Sequence, residues 1–323
     1  MGLLTDYHNW ASRYTDAPDI YQLYAGMYLV GVILGDRVWI NYAGKKLYPN
    51  MWIYFVGYPK VSRKKTVIDL NYKIIKVVEP KRIYPTTIDR WDKFVIDILE
   101  RDRAGGFWGL NLYSINKSVM RFLGSISSTP TLNYAYCKGR EIIISDCAIS
   151  IMSQFDLHNY FSTMKYRKIF LRKFMPIIWL SEKVVNFKPF PPAPTPQEVG
   201  EMGHKMSVLK TITGEVTLTP GSRKLFEDFA IKFNDVWNGN IVMHFVPGMP
   251  DIQEHTLKMA TIIQISNNQE MIISESAMSA AIILANNMYK SIYDISEKYF
   301  GKDKHYDIKK GKDYEENEKT EIV

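Results

Sequence analysis

Apolar side chains recur at helical spacing from the Thr15-Asp16-Ala17-Pro18 turn to Leu34, which predicts a helix with Pro18 in its first turn. Apolar, aromatic and β-branched runs at 38–40 and 51–56, separated by Gly44 and Pro49-Asn50, predict two strands. The second run, Met51-Trp52-Ile53-Tyr54-Phe55-Val56, contains no charged side chain and reads as a strand covered on both faces. Residues 57–66 read as a loop from a glycine to a threonine. After it Val67, Ile68, Leu70, Ile74, Ile75 and Val78 keep helical spacing up to Pro80.

The alternation continues. Ile88, Trp91, Phe94, Val95, Ile98 and Leu99 predict a helix over 86–102, followed by a glycine pair and a strand at 107–112. Strand-like runs at 142–145 and 148–153 precede a helix starting at Asp156 and an apolar strand at 174–180. Strands alternating with helices predict an α/β fold with a mainly parallel sheet flanked by helices. The run Pro189-Phe190-Pro191-Pro192-Ala193-Pro194-Thr195-Pro196 is extended, because each proline fixes φ and lacks an N–H, and it closes the core. Helical segments follow at 197–213, 220–237, 250–267 and 274–300. The expected organisation is an N-terminal helical extension (1–46), an α/β core (47–188), a Pro-rich linker (189–196), a C-terminal helical domain (197–300) and a charged, disordered tail (301–323).

Composition narrows the class. With 46% hydrophobic and 23% charged residues, the 323-residue chain can bury a sizeable core. The apolar stretch 20–35 carries Gln22 and falls short of the roughly 20 residues of a bilayer span, so it reads as a buried helix and no membrane partner is expected. A net charge of +7 suits a polyanionic partner such as nucleic acid, or an evenly spread basic surface. Cys137 and Cys147 are the only cysteines, too few for a disulfide framework or a cysteine zinc cluster, and this usage points to a reducing, cytoplasmic setting. The N-terminus has no secretory leader pattern.

The loop carries the candidate chemistry. Gly57-Tyr58-Pro59-Lys60-Val61-Ser62-Arg63-Lys64-Lys65-Thr66 keeps the first glycine and the terminal Lys-Thr of a phosphate-binding loop but lacks the second glycine. Such loops work because backbone N–H groups converge on phosphate oxygens, a lysine neutralises charge and a hydroxyl reaches the metal. An apolar strand entering and a helix leaving would place Lys64, Lys65 and Thr66 at a positive helix N-terminus. The alternative is a basic surface turn.

On these residues the chain resembles, over nearly its whole length, the poorly characterised P-loop ATPases of primase/helicase-like type found in plasmids, phages and archaeal mobile elements. Members share an N-terminal helix, a segment like Leu47-Tyr48-Pro49-Asn50 and a loop of G-x-x-x-x-S-R-K-S-T type, matched by Gly57, Ser62, Arg63, Lys64 and Thr66, with Lys65 in place of the serine. The resemblance implies a P-loop NTPase-like fold with ATP and Mg²⁺ as cofactors. Its second landmark, a Thr-rich helix start, a Gly-Gly and a strand closing in Asp-Glu, is matched by Thr86-Thr87 and Gly105-Gly106, but Asn111-Leu112 stand where the acids belong. Without them hydrolysis is expected to be weak or lost while nucleotide binding survives. Asp146, after Ile142-Ile143-Ile144, is the rival metal ligand beside Thr66. Ile169-Phe170-Leu171-Arg172-Lys173-Phe174 matches a third landmark, in which Arg172 serves as an arginine finger or sensor, or is a surface arginine. A fourth, Glu254-His255-Thr256-Leu257-Lys258, makes His255 a structural or interface residue.

Lys165, Arg167, Lys168 and Lys173 are interleaved with Tyr160, Phe161, Tyr166 and Phe170, a pattern suited to single-stranded nucleic acid or to a solvated basic face. Helicase-like relatives also imply a homo-oligomer. Two functions are carried forward: a replication-associated ATPase homologue, and a scaffold or binding protein that kept the fold but not the nucleotide.

Overall fold

The computed structural model describes residues 2–84, 104–110, 119–120, 123, 133–137, 140–144, 147–156, 173–181, 187–238 and 251–300. Two helices, α1 (Leu3–Tyr14) and α2 (Asp19–Leu34), open the chain. Helix α2 is the predicted apolar helix, and it is buried nearly all round. No helix among the described residues is long and apolar enough to cross a membrane.

A five-stranded sheet lies against α2. Its order is β4 (Ile83–Tyr84), β5 (Ala104–Trp108), β8 (Ala148–Asp156), β3 (Trp52–Gly57), β9 (Met175–Trp179), and every neighbouring pair is parallel. All six positions of β3 are buried, as an apolar strand covered on both faces requires. The chain leaves β3 through α3 (Lys64–Val78) and returns at β4 on the far edge, whereas the connection from β8 to β9 crosses β3 in the other direction. The C-terminal end of β3 is therefore a point where the winding of the sheet reverses, the place where open α/β sheets form ligand crevices.

Tyrosines lock α2 to the sheet. Tyr28 Oη donates to Phe107 O (2.8 Å), and Tyr21 Oη donates to Val56 O (2.5 Å). Asn71 of α3, fully buried, joins three elements: its amide donates to Ala25 O (2.7 Å) and Tyr7 Oη (3.2 Å), and its oxygen accepts from Trp108 Nε1 (2.8 Å). Each bond leaves no buried polar group orphaned when α2, α3 and β5 meet.

A second sheet has the order β11 (Ile272–Ile273), β10 (Gly214–Leu218), β1 (Val38–Tyr42), β2 (Lys45–Leu47). Its β1–β10 and β10–β11 pairs are parallel, and β1–β2 is an antiparallel hairpin. The C-terminal stretch expected to be helical thus also contributes strands, which complete a sheet begun by the N-terminal hairpin. Its helices are α4 (Pro196–Ser207), α5 (Pro220–Asn238), α6 (Ile252–Asn268) and α7 (Glu275–Phe300). Pro196 starts α4, and Thr195 closes a reciprocal capping box with Glu198. One continuous cluster of buried hydrophobic side chains runs from Leu4 to Ile292.

Four sequence expectations need correction. The strand placed at 107–112 is β5, Ala104–Trp108, and contains the glycine pair. A Cβ on Gly106 would come within 2.5 Å of Tyr28 Oη, so the absence of side chains is what lets β5 lie against α2. The strand at 142–145 is β7 (Arg140–Ile144), which pairs antiparallel with β6 (Asn133–Cys137) outside the parallel sheet. Asp156 ends β8 instead of starting a helix. Helix α3 begins at Lys64, three residues earlier than the apolar periodicity shows, because its first turn is polar. The helix expected at 86–102 and the tail at 301–323 lie outside the described residues.

Candidate functional site

Strand β3 delivers Gly57 to the C-terminal edge of the sheet, in register with Asp156 of β8 and Trp179 of β9. A Cβ at Gly57 would meet Tyr21 Oη at 2.7 Å, Trp179 O at 2.9 Å and Ser62 Cβ at 3.0 Å, so only glycine fits under the loop. The chain then turns back through two left-handed residues, Lys60 (φ 66°) and Arg63 (φ 48°). Side chains rarely adopt that region, at a cost of order 1–3 kcal/mol each, and such residues cluster where a backbone is held for a purpose. Arg63 holds this conformation as the residue immediately before α3. Its guanidinium lies 3.1 Å from Asp16 Oδ1, a nearly inaccessible carboxylate between α1 and α2, at an angle that makes an ion pair without a hydrogen bond.

No side chain caps the N-terminus of α3, which begins immediately after Arg63. The first-turn N–H groups, unpaired within any helix, are aimed at the loop with the positive end of the helix dipole. Lys64, at the first position, is buried to 6% exposure, and its ammonium folds back into the loop. It donates to Gly57 O (2.7 Å), Asp156 Oδ1 (3.0 Å) and Ser62 Oγ (3.2 Å), and Ser62 Oγ donates to Tyr58 O (2.6 Å). Burial pushes the Lys64 ammonium below its ordinary pKa, and Asp156 opposes that shift.

A cavity of about 380 Å³ opens over these groups, lined from the loop, the first turn of α3 and the end of β8. Lys64 and Thr66 border it beside Asp156, the one carboxylate among the described lining residues, while the Val61 and Ser62 N–H groups are bonded within the loop to Pro59 O and Tyr58 O. That set can neutralise and hydrogen-bond an anion with several oxygens.

Of the residues singled out from the sequence, Ser62, Arg63, Lys64, Lys65 and Thr66 line this cavity, and Gly57 is tied to it through the bond from Lys64 to its carbonyl. Lys65 nevertheless runs along the helix surface to Asp69, with Nζ–Oδ2 at 2.7 Å. Asn111, Asp146, Lys165, Arg167, Lys168 and Arg172 lie outside the described residues. The chain approaching Asn111 is bound to β8, since Leu110 N donates to Met152 O and Leu110 O accepts from Ser153 Oγ. Ala148, two residues after Asp146, opens β8 at the end of the sheet opposite Gly57. Lys173 is ion-paired with Asp251 at 3.0 Å and mostly covered.

Sequence reasoning missed Asp156. The signal is Ser153-Gln154-Phe155-Asp156, in which Asp156 closes the strand where the spacing predicts a helix start. It also missed Asp16, whose role appears only when the α1–α2 turn meets the loop.

A second polar group lies where α6 packs on the hairpin and on the chain entering β3. Lys258, 6% exposed, donates to Asn50 Oδ1 (3.1 Å), and Asn50 Nδ2 donates to Ile149 O. Burial lowers the Lys258 pKa to about 8. His255, one turn earlier, is buried with neither ring nitrogen hydrogen-bonded, and burial, reinforced by the Lys258 charge, lowers its pKa to about 3. A neutral, inward-facing imidazole fits the structural role expected of His255. The chain matches no family model, and no curated protein is similar to it in sequence, so the functional reading rests on the loop and its surroundings.

Proposed function

We propose that the cavity at the end of β3 binds the phosphates of a nucleotide, and that the protein is a replication-associated, primase/helicase-like P-loop ATPase homologue with weak or lost hydrolysis. The observation that carries the reading is Lys64. It sits at the first position of a helix that directly follows a loop at the reversal point of a parallel sheet, with its ammonium turned into that loop. The replication context, single-stranded nucleic acid and a homo-oligomer rest on the sequence resemblance alone.

Mg²⁺ fits this donor set only in company. No group of three or more His, Cys, Asp or Glu side chains assembles among the described residues, whereas a single carboxylate and a hydroxyl suit an ion that keeps its waters and shares phosphate oxygens. When bound, such an ion would neutralise charge on the phosphates. Lys64 would meet their oxygens, the first turn of α3 would supply N–H donors, and Thr66 would offer its hydroxyl. Asn111-Leu112 in place of Asp-Glu remove a charged metal ligand and the carboxylate expected to orient an attacking water, so the reading is one of binding ahead of turnover.

One observation favours the scaffold reading: Lys64 is already satisfied by Gly57, Ser62 and Asp156, so the loop is closed on itself. Titration of the full chain with a fluorescent ATP analogue, with ADP and inorganic phosphate as competitors, separates the two. The expected result is saturable binding that Lys64→Ala weakens by roughly tenfold or more, the scale of a lost charge-assisted hydrogen bond. Absence of binding of any of the three at millimolar concentration would leave the scaffold reading.

A further inference from the structure

We propose that Asp156 makes phosphate binding at this loop conditional on a divalent cation, serving as the internal partner of Lys64 when the loop is closed and as the cation's protein ligand when a triphosphate is bound. The proposal rests on the phosphate-loop reading above and adds a residue on a strand where the resemblance places no metal ligand. There the metal carboxylate belongs beyond β5, at the position of Asn111; Asp156 closes β8, one strand nearer the loop.

The geometry leaves the carboxylate little choice. Asp156 is opposite Gly57 in the β3–β8 register, so strand pairing holds its backbone beside the loop. Its side chain is 43% exposed, faces the cavity and lies 3.0 Å from the Lys64 ammonium. It is the one acid among the described residues lining that cavity. A phosphate entering there takes over the ammonium, because Lys64 is the buried cation at the cavity floor. The displaced carboxylate then faces a polyanion across a few ångströms, and like charges at that separation repel strongly in a partly buried setting. A divalent cation between them reverses the sign, since Mg²⁺ characteristically bridges one carboxylate and phosphate oxygens. Thr66, in the first turn of α3 and lining the same cavity, offers a second oxygen.

The sign follows directly. Without a cation, Asp156 opposes the ligand twice, by holding Lys64 and by repelling phosphate; with one, it favours it. Inorganic phosphate, which carries less negative charge for the cation to neutralise than a triphosphate, should gain less from Mg²⁺ than ATP.

The test is ATP binding by the full chain, measured by calorimetry in Mg²⁺ and in chelator, for the natural protein and for Asp156→Asn. Asparagine keeps the size and can still accept from Lys64, and a circular dichroism melt checks that the variant folds. The natural protein should bind ATP about tenfold or more tightly with Mg²⁺, the scale of one charge–charge contact in a cleft. In Asp156→Asn that ratio should collapse to within about threefold, chiefly because binding in chelator improves. Asp156→Glu, which keeps the charge, should retain most of the Mg²⁺ dependence. A full Mg²⁺ enhancement in Asp156→Asn, or none in the natural protein, overturns the proposal. Failure of every form to bind ATP in either condition overturns the phosphate-loop reading itself, a result distinguishable from the other two.

Discussion

Replacing Gly57 by alanine tests whether the loop is held as tightly as its geometry indicates. The added methyl would lie 2.7 Å from Tyr21 Oη, 2.9 Å from Trp179 O and 3.0 Å from Ser62 Cβ. One of these atoms is backbone in a paired strand, and another is a hydroxyl already bonded to Val56 O, so neither can withdraw without breaking a hydrogen bond. Overpacking of a buried site costs about 1–3 kcal/mol, and the rigidity of these neighbours places Gly57→Ala toward the upper end, about 2–3 kcal/mol. At an unfolding entropy of about 2.1 cal/mol/K per residue, a 323-residue chain loses about 1.5 °C per kcal/mol, so Tm should fall by roughly 3–5 °C. Tyr21→Phe alone should cost about 1 kcal/mol through the lost bond to Val56 O, but less in the Gly57→Ala background, where it also removes the closest contact. Differential scanning calorimetry of the four forms measures both the cost and the coupling. A Tm unchanged by Gly57→Ala, or strictly additive losses in the double variant, would refute the close approach on which the site description depends.

Gly200, inside α4, has open space where a Cβ would stand, so Gly200→Ala should raise stability by roughly 0.5–1 kcal/mol in urea denaturation and serves as the counterpart of Gly57. His255 has a folded-state pKa of about 3 against an ordinary 6.5, so the unfolded chain binds the extra proton between those values and stability falls as pH drops through 6.5 toward 3. Linkage gives a loss of about 2 kcal/mol from this group between pH 7 and pH 5; His255→Leu should remove that part of the slope, and an identical slope in the two proteins would show that the imidazole is not buried as described.

Where an element carries its own periodicity, the sequence was sufficient. The apolar run of α2, the unbroken strand β3 and the apolar face of α3 each have to be buried whatever else the chain does, and the loop between β3 and α3 follows from their adjacency. The site residues from Ser62 to Thr66 were legible for the same reason, since they are local to one strand–loop–helix unit. The four C-terminal helices were likewise visible from spacing and from their flanking prolines and glycines.

What the sequence could not supply was every relation between segments distant along the chain. Nothing local to 214–218 says that it pairs with 38–40, because a short half-exposed strand gains its partner only when two remote segments meet. Asp156 reads equally well as a helix cap or a strand end, and the β3–β8 register alone sets it opposite Gly57 and within 3.0 Å of Lys64. Arg63 shows the same limit from the other side. A sequence pattern marks the loop as lacking a glycine, whereas the folded chain holds Arg63 left-handed within it, against a buried aspartate contributed by the α1–α2 turn. Local preference thus determined the elements and the loop, and tertiary packing decided which charges face one another across it, because the free energy of an ion pair depends on a distance that only the fold creates.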